Sequence, residues 1–207
     1  MKHLIYLAFL VVSTITQAQS NFEKGMDKAL SLMEAGKFQE SEQLLERIAG
    51  AEKSEWLPHY YIARINSMIS WNEKDETVLR AQLEKAQKHL DAAFKIDESN
   101  PELVIMQAQV LTNWVAYDGM TYGMKYGAKI SELYGKAIAL QPENPRANFC
   151  KAEWEIGSAR YFGKDTKPFC QQIEKSIELF ANFQSPSELH PNWGLNRAKE
   201  AMSECQN

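Results

Sequence analysis

The chain has 207 residues, of which 44% are apolar, and carries 23 Lys and Arg against 27 Asp and Glu, a formal net charge of −4. This length and apolar content fit one domain with a continuous core. A nucleic-acid-binding protein would carry a basic surface to neutralise phosphates, so the mild acidity argues against that class. We therefore expect no nucleic-acid partner.

The N-terminus has the pattern of a cleavable secretory signal peptide. Lys2 precedes an apolar run from Leu4 to Val12, and the small residues Thr16 and Ala18 stand at the third-last and last positions of the segment. The apolar run is shorter than the about 20 residues that cross a bilayer. The sequence predicts a signal peptide over residues 1–18, cleavage after Ala18, no membrane span in the mature chain, and a periplasmic or secreted location.

A repeated phrase determines the architecture. AAFKIDESNPEL from Ala92 aligns with KAIALQPENPRA from Lys136, which places Asn100-Pro101 over Asn144-Pro145 at a spacing of 44 residues, and a similar helix end lies near Ile48. Proline suits the first turn of a helix, where its missing N–H would be unpaired anyway. Recurrence at this period is typical of helical repeats that stack on one another.

Apolar and small residues follow a helical period on both sides of each turn. The domain over residues 19–207 is therefore expected to contain four helical hairpins and a final capping helix. The predicted units are about 21–50, 56–97, 101–142 and 145–183, with the cap at 191–205.

Several positions resemble the tetratricopeptide repeat (TPR) family. The matching residues are Ala29, Gly36, Phe38 and Leu45 in the first unit and Ala108, Leu111, Tyr134, Ala137 and Pro142 in the third. The resemblance implies an all-α fold of antiparallel helical hairpins, stacked as a short right-handed solenoid with a C-terminal capping helix. The period of 44 to 45 exceeds the family's 34, which we attribute to lengthened turns in the second and third units.

In that family the first helix of each hairpin lines a concave face on which protein segments dock. Projecting this face onto the sequence selects Tyr60, Arg64, Ile105, Gln109, Asn113, Arg146, Phe149 and Glu153. The resemblance implies a noncatalytic interaction module or scaffold with a protein or peptide partner, and the predicted signal peptide indicates the bacterial cell envelope. A helical enzyme whose site is invisible in the sequence and a structural subunit of a larger envelope assembly are the alternatives.

Residues 118–127 contain glycines at a four-residue spacing with tyrosines between them. We assign this segment to the lengthened turn of the third unit. It is either a packed loop or a flexible binding lip, and the lip would be formed by Gly119, Tyr122, Gly123 and Tyr126. Flexible glycine beside exposed tyrosine and methionine would make an adaptable contact surface.

The aromatic residues have a structural and a functional interpretation. Trp71, Trp114 and Trp154 each fall toward the end of a first helix, where core packing is favoured over an aromatic ligand box. Trp193 is expected to cover the exposed end of the last unit.

Cysteine spacing allows a disulfide in an exported chain. If the last two helices are antiparallel about a turn near Ser187, Cys170 and Cys205 lie at nearly the same height. We predict this bridge, with Cys150 buried and free, while three reduced core cysteines remain the alternative. His59, His89 and His190 lie far apart in sequence and in different hairpins, without metal-ligand spacing. We predict no metal site, no cofactor and no catalytic residue.

Overall fold

The computed structural model describes residues 21–205, which form nine helices and no strand in that range. The helices are α1 (21–34), α2 (Phe38–Ala51), α3 (Leu57–Ser70), α4 (Glu76–Ile96), α5 (Pro101–Tyr117), α6 (Gly119–Leu140), α7 (Pro145–Tyr161), α8 (Lys167–Asn182) and α9 (Leu195–Cys205). The all-α prediction is confirmed. The predicted signal peptide lies outside the described residues. None of the described helices is both long and apolar enough to cross a membrane.

Successive helices pair as hairpins, α3 with α4, α5 with α6 and α7 with α8. The first helices α3, α5 and α7 also contact one another in that order, so they form one layer of a helical solenoid. Each second helix packs on its own hairpin partner, and α9 packs on α8. This stacking agrees with the repeat prediction.

The repeated Asn-Pro phrase starts α5 and α7. Asn100 Oδ1 accepts a hydrogen bond from the backbone N–H of Glu102 at 2.9 Å, and Asn144 Oδ1 accepts one from that of Arg146 at 3.0 Å. Asparagine is a preferred N-cap because its side chain satisfies a backbone donor of the first turn. Each proline then occupies the first helical position.

The two caps are joined by a buried ion pair. Arg146, 2% exposed, donates from Nη2 to Glu102 Oε1 at 2.7 Å and from Nε to Oε2 at 2.9 Å. Asn144 Nδ2 donates to the same Oε1 at 2.7 Å. Glu102 and Arg146 occupy equivalent repeat positions, so the pair fixes α5 against α7 at their N-terminal ends.

The segment between α8 and α9 crosses back to the first part of the chain. Tyr61 Oη donates to the carbonyl of Leu189 at 2.8 Å, Trp193 Nε1 donates to Tyr60 Oη at 2.7 Å, and His190 lies edge-on to the Trp56 ring. Leu189 is part of the core formed with the N-terminal helices. Trp193, predicted to cover the end of the last unit, packs against the core of the C-terminal helices and also against that of the N-terminal helices, where it hydrogen-bonds to α3.

The glycine segment is helical, which corrects its assignment to a turn. Asp118 caps α6 by accepting hydrogen bonds from the N–H groups of Met120 and Thr121, at 3.1 and 3.0 Å. A single residue therefore joins α5 to α6. The long repeat comes from long helices, 17 residues in α5 and 22 in α6, and not from a lengthened turn in this unit.

A disulfide joins Cys170 on α8 to Cys205 on α9, with 5.8 Å between their Cα atoms, while Cys150 is free and buried. His59 and His89 lie on α3 and α4 of one hairpin, inside the predicted unit 56–97, so their placement in different hairpins is wrong. Their Nδ1 atoms are 3.0 Å apart. The two residues face each other because α3 and α4 are antiparallel, which brings the beginning of α3 beside the end of α4.

Candidate ligand cleft

A cleft of about 1320 Å³ opens between α3, α5, α6, α7 and α9. Its lining includes Arg64, Met68 and Trp71 from α3, Gln109, Thr112, Asn113 and Val115 from α5, Gly119, Met120, Gly123, Met124, Gly127, Ser131 and Tyr134 from α6, Cys150, Glu153, Trp154, Arg160 and Tyr161 from α7, Phe162 after α7, and Arg197, Ala201 and Glu204 from α9. We call this space the cleft. The first helices α3, α5 and α7 line one part of it, and α6 and α9 line the rest.

The four-residue glycine spacing places Gly119, Gly123 and Gly127 along one side of α6, and all three line the cleft. A Cβ atom at Gly119 would approach Cε2 of Tyr161 to 3.2 Å, and one at Gly127 would lie 3.8 Å from Cζ2 of Trp154. The missing side chains therefore let aromatic rings of α7 approach α6. They also leave this side of the cleft, which we call the glycine wall, without side chains at these three positions.

Large apolar side chains collect at the rim of the cleft. Nine large hydrophobic side chains are exposed among the described residues, and six of them line the cleft: Met68, Trp71, Met120, Met124, Tyr161 and Phe162. Met124 is 86% exposed and Met120 is 73% exposed. An exposed apolar cluster around a concave surface is typical of a binding site, since isolated monomers seldom leave such a patch open to water.

Two aromatic groups of α6 have structural roles. The Tyr122 ring lies 4.9 Å from the ring of Trp114, which is 9% exposed, and stacks on Tyr126 at 5.9 Å with an angle of 4° between the planes. Neither tyrosine lines the cleft. Of the four predicted lip residues, the structure brings only Gly119 and Gly123 to the cleft, and they form its wall within a helix.

Three arginines line the cleft, and two of them are neutralised by carboxylates. Arg197 Nε lies 2.8 Å from Glu153 Oε1, and Arg160 Nη2 lies 3.2 Å from Glu204 Oε2. Arg64 makes no salt bridge and donates no hydrogen bond within the described residues, and its Nε is buried. Desolvation by burial lowers the pKa of the Arg64 guanidinium.

The Cys150 thiol is buried beside the cleft and accepts a hydrogen bond from Gln109 Nε2 at 3.4 Å. Burial raises the pKa of this thiol, so it stays protonated and is a poor nucleophile. Over residues 21–205 no group of three or more His, Cys, Asp and Glu side chains is arranged to hold a metal ion.

The structure divides the eight predicted partner-binding residues into two sets. Arg64, Gln109, Asn113 and Glu153 line the cleft. The other four are buried and do not line it: Tyr60, Ile105, Arg146 and Phe149, with exposures of 0, 0, 2 and 1%. For this second set the concave-face projection is corrected.

The reason for the correction is local. The 183–194 segment covers Tyr60, Arg146 pairs with Glu102 and lies beneath the Phe183 ring, and Ile105 and Phe149 pack into the core between α5 and α7. Asn113 lines the cleft but is tied down, because its Nδ2 donates to Ser67 and Ser70.

Sequence reasoning missed the rim side chains. Trp71 and Trp154, interpreted as core residues, both line the cleft, whereas Trp114 is buried as predicted. Trp154 Nε1 donates to Ser131 Oγ at 3.0 Å, which fixes the ring on α6. The methionines of the glycine segment carry a signal in the sequence, but assigning the segment to a turn hides that Met120 and Met124 lie one helical turn apart.

No protein-family profile matches the chain, and no curated protein matches it. Among solved structures, the HusA haemophore from Porphyromonas gingivalis superposes with a TM-score of 0.79 at 21% sequence identity, covering 89% of this chain and 92% of that one. A thermophilic TPR protein from Thermus thermophilus gives a TM-score of 0.44 at 12% identity, over 89% of this chain and 98% of the other. The chain therefore shares its fold with the haemophore structure along nearly its whole described length.

Proposed function

We propose that this protein is a noncatalytic binding protein that holds a large, flat, mainly apolar ligand of the porphyrin type in the cleft. The observation that carries the proposal is the cleft itself: a smooth glycine wall on α6 bordered by exposed methionine and aromatic side chains. Desolvating such side chains against a ligand is favourable in proportion to the apolar area removed from water.

Size and shape select the ligand class. Sites for small molecules usually enclose roughly 300 to 1000 Å³, so a cleft of about 1320 Å³ suits a ligand larger than a simple metabolite. The glycine wall is open at Gly123, between the Tyr161 and Trp154 rings that lie against Gly119 and Gly127, and a planar ring system can lie there. Met68, Met120 and Met124 are flexible and polarizable, so they can adapt to the faces and edges of a large aromatic ring.

The fold likeness to a haemophore supports the choice of a porphyrin among planar apolar ligands. The chemistry of the cleft supports binding without catalysis. Its carboxylates Glu153 and Glu204 are each paired with an arginine, and its only cysteine is a protonated buried thiol. We further propose that the protein acts in the bacterial cell envelope or outside the cell, where the predicted signal peptide would deliver it and where a disulfide persists.

The test is an equilibrium titration of the protein over residues 19–207 with haem and with metal-free protoporphyrin IX, followed by porphyrin absorbance and tryptophan fluorescence. Gly123→Leu places a branched side chain on the cleft wall, and Gly135→Leu makes the same change on the same helix away from the cleft, where nothing lies within 4 Å. Saturable binding that is lost in Gly123→Leu and kept in Gly135→Leu is expected. Absence of binding to the wild-type protein would overturn the proposal.

A protein or peptide partner, as the repeat resemblance implies, is the second candidate. It is favoured by the rim, because Met120, Met124, Tyr161 and Phe162 are all more than 60% exposed and a protein segment could cover them. A partner that binds only when the cleft is empty, and is released by porphyrin, would use the same apolar surface. A partner that binds Gly123→Leu as well as wild type would lie elsewhere.

A further inference from the structure

Arg64 is the cationic group of the cleft that lacks a carboxylate partner within the described residues. It lies on α3, and its Nε is buried without a hydrogen-bond acceptor. Arginine carries five N–H donors and stays charged at neutral pH. An unpaired guanidinium in a desolvated setting is costly unless a ligand or partner completes it.

The surroundings hold Arg64 in place without neutralising it. Its guanidinium carbon lies 4.3 Å from the centroid of the Trp193 ring, a cation–π contact with the segment that crosses back from α8. Trp193 is itself fixed by its hydrogen bond to Tyr60 Oη. The side chain is therefore positioned in advance, with Trp193 on one side and the cleft on another.

The other two arginines of the cleft show what is unusual about Arg64. Arg160 and Arg197 stand near its outer edge, are 56% and 54% exposed, and each already has a glutamate partner. Arg146, the cation that acts electrostatically on Arg64, is itself paired with Glu102. Among the three cleft arginines, Arg64 is therefore the one without a salt-bridge partner in the described residues.

We propose that Arg64 is the anion-recognising residue of the cleft and that the ligand enters with a carboxylate leading, so that its acidic edge meets Arg64 and its apolar body lies between the glycine wall and the rim. This inference rests on the proposed function, since it assigns the orientation of the ligand in the same cleft. It restricts the ligand class to flat apolar molecules with at least one carboxylate. The planar guanidinium fork suits a carboxylate because two parallel N–H···O bonds can form.

The experiment compares two probes on three proteins. The probes are protoporphyrin IX, with two free carboxylates, and its diamide, in which both carboxylates are uncharged. The proteins are wild type, Arg64→Met and Arg80→Gln. Methionine keeps an apolar stem against Trp193, and Arg80 is an exposed α4 residue that does not line the cleft, so its variant controls for the loss of one positive charge.

A charged hydrogen-bonded pair in such a site should give wild type about a 10- to 100-fold preference for the diacid. We expect Arg64→Met to lose that preference by weakening the diacid alone, and Arg80→Gln to retain it. Equal binding of both probes to wild type, or a preference that survives in Arg64→Met, would overturn the role of Arg64 while leaving the proposed function in place. Failure of wild type to bind either probe would overturn the proposed function itself. Thermal unfolding of each variant shows that the fold is intact.

Discussion

Removing the cation of the buried pair between α5 and α7 should destabilise the protein strongly. In Arg146→Met the carboxylate of Glu102, which is 6% exposed, keeps only the hydrogen bond from Asn144. Breaking a buried pair on one side costs about 3 to 5 kcal/mol, because the remaining charge stays in the interior uncompensated. At about 2 to 4 °C per kcal/mol for a domain of this size, the melting temperature should fall by roughly 6 to 20 °C.

The matched control is Arg197→Met, which removes an arginine from an exposed pair with Glu153. Exposed pairs contribute about 0 to 1 kcal/mol, so this variant should unfold close to wild type. Urea unfolding followed by helical circular dichroism gives both free energies of unfolding, with the disulfide intact. The double variant Glu102→Leu with Arg146→Met should recover most of the loss, because no charge is then left buried. A cost for Arg146→Met no larger than that for Arg197→Met would refute this reasoning.

Three further predictions concern the disulfide between α8 and α9, the histidine pair and a glycine with positive φ. Replacing both Cys170 and Cys205 with serine opens a loop with a sequence separation of 35, and by chain entropy this should lower the free energy of unfolding in urea by about 4 kcal/mol. Reductant should lower the free energy of unfolding of wild type to the same value and leave that of the variant unchanged. Burial and the charge of His59 lower the pKa of His89 to about 4, and burial also lowers the pKa of His59, so the folded state disfavours protonation of both rings. Their contribution to stability is full above the ordinary pKa of about 6.5 and should fall as the pH drops toward 4. Thermal melts across this range should show a smaller loss in His89→Gln than in wild type. Gly194→Ala should destabilise by at least about 1 to 3 kcal/mol in the same unfolding assay, because φ is 113° there and the new Cβ would lie 2.7 Å from Cζ of Phe180; a neutral effect would contradict the strain.

The solenoid could be predicted because the signals that start and end helices are local. Asn100-Pro101 and Asn144-Pro145 each supply a side-chain acceptor and a fixed φ angle at the same repeat position, and both act within three residues in sequence. The prediction of a turn at the glycine segment was wrong because it relied on local signals alone. Glycine is a weak helix former, yet Asp118 caps the helix and packing against α5 and α7 holds it.

The cleft could be predicted only in part because long-range packing determines its boundary. The residues 183–194 carry no repeat signal, and their return to Tyr60 and Tyr61 spans more than 120 positions of sequence. That contact covers Tyr60 and places the Phe183 ring on Arg146, two residues of the expected concave face. Arg64 lines the cleft beside this segment, and its role in binding stays a prediction.

Methionine methyl groups provide the most direct test of the central claim that a flat aromatic ligand binds in the cleft. Met68, Met120 and Met124 line the cleft, whereas Met26 and Met106 are fully buried in the core and serve as internal controls. Carbon-13 methyl NMR of the protein, titrated with metal-free protoporphyrin IX, should show large ring-current shifts for the three cleft methyls and little change for the two core methyls. Saturation of the porphyrin signal with no shift of the cleft methyls, or with the largest shifts at other methyls, would contradict the account.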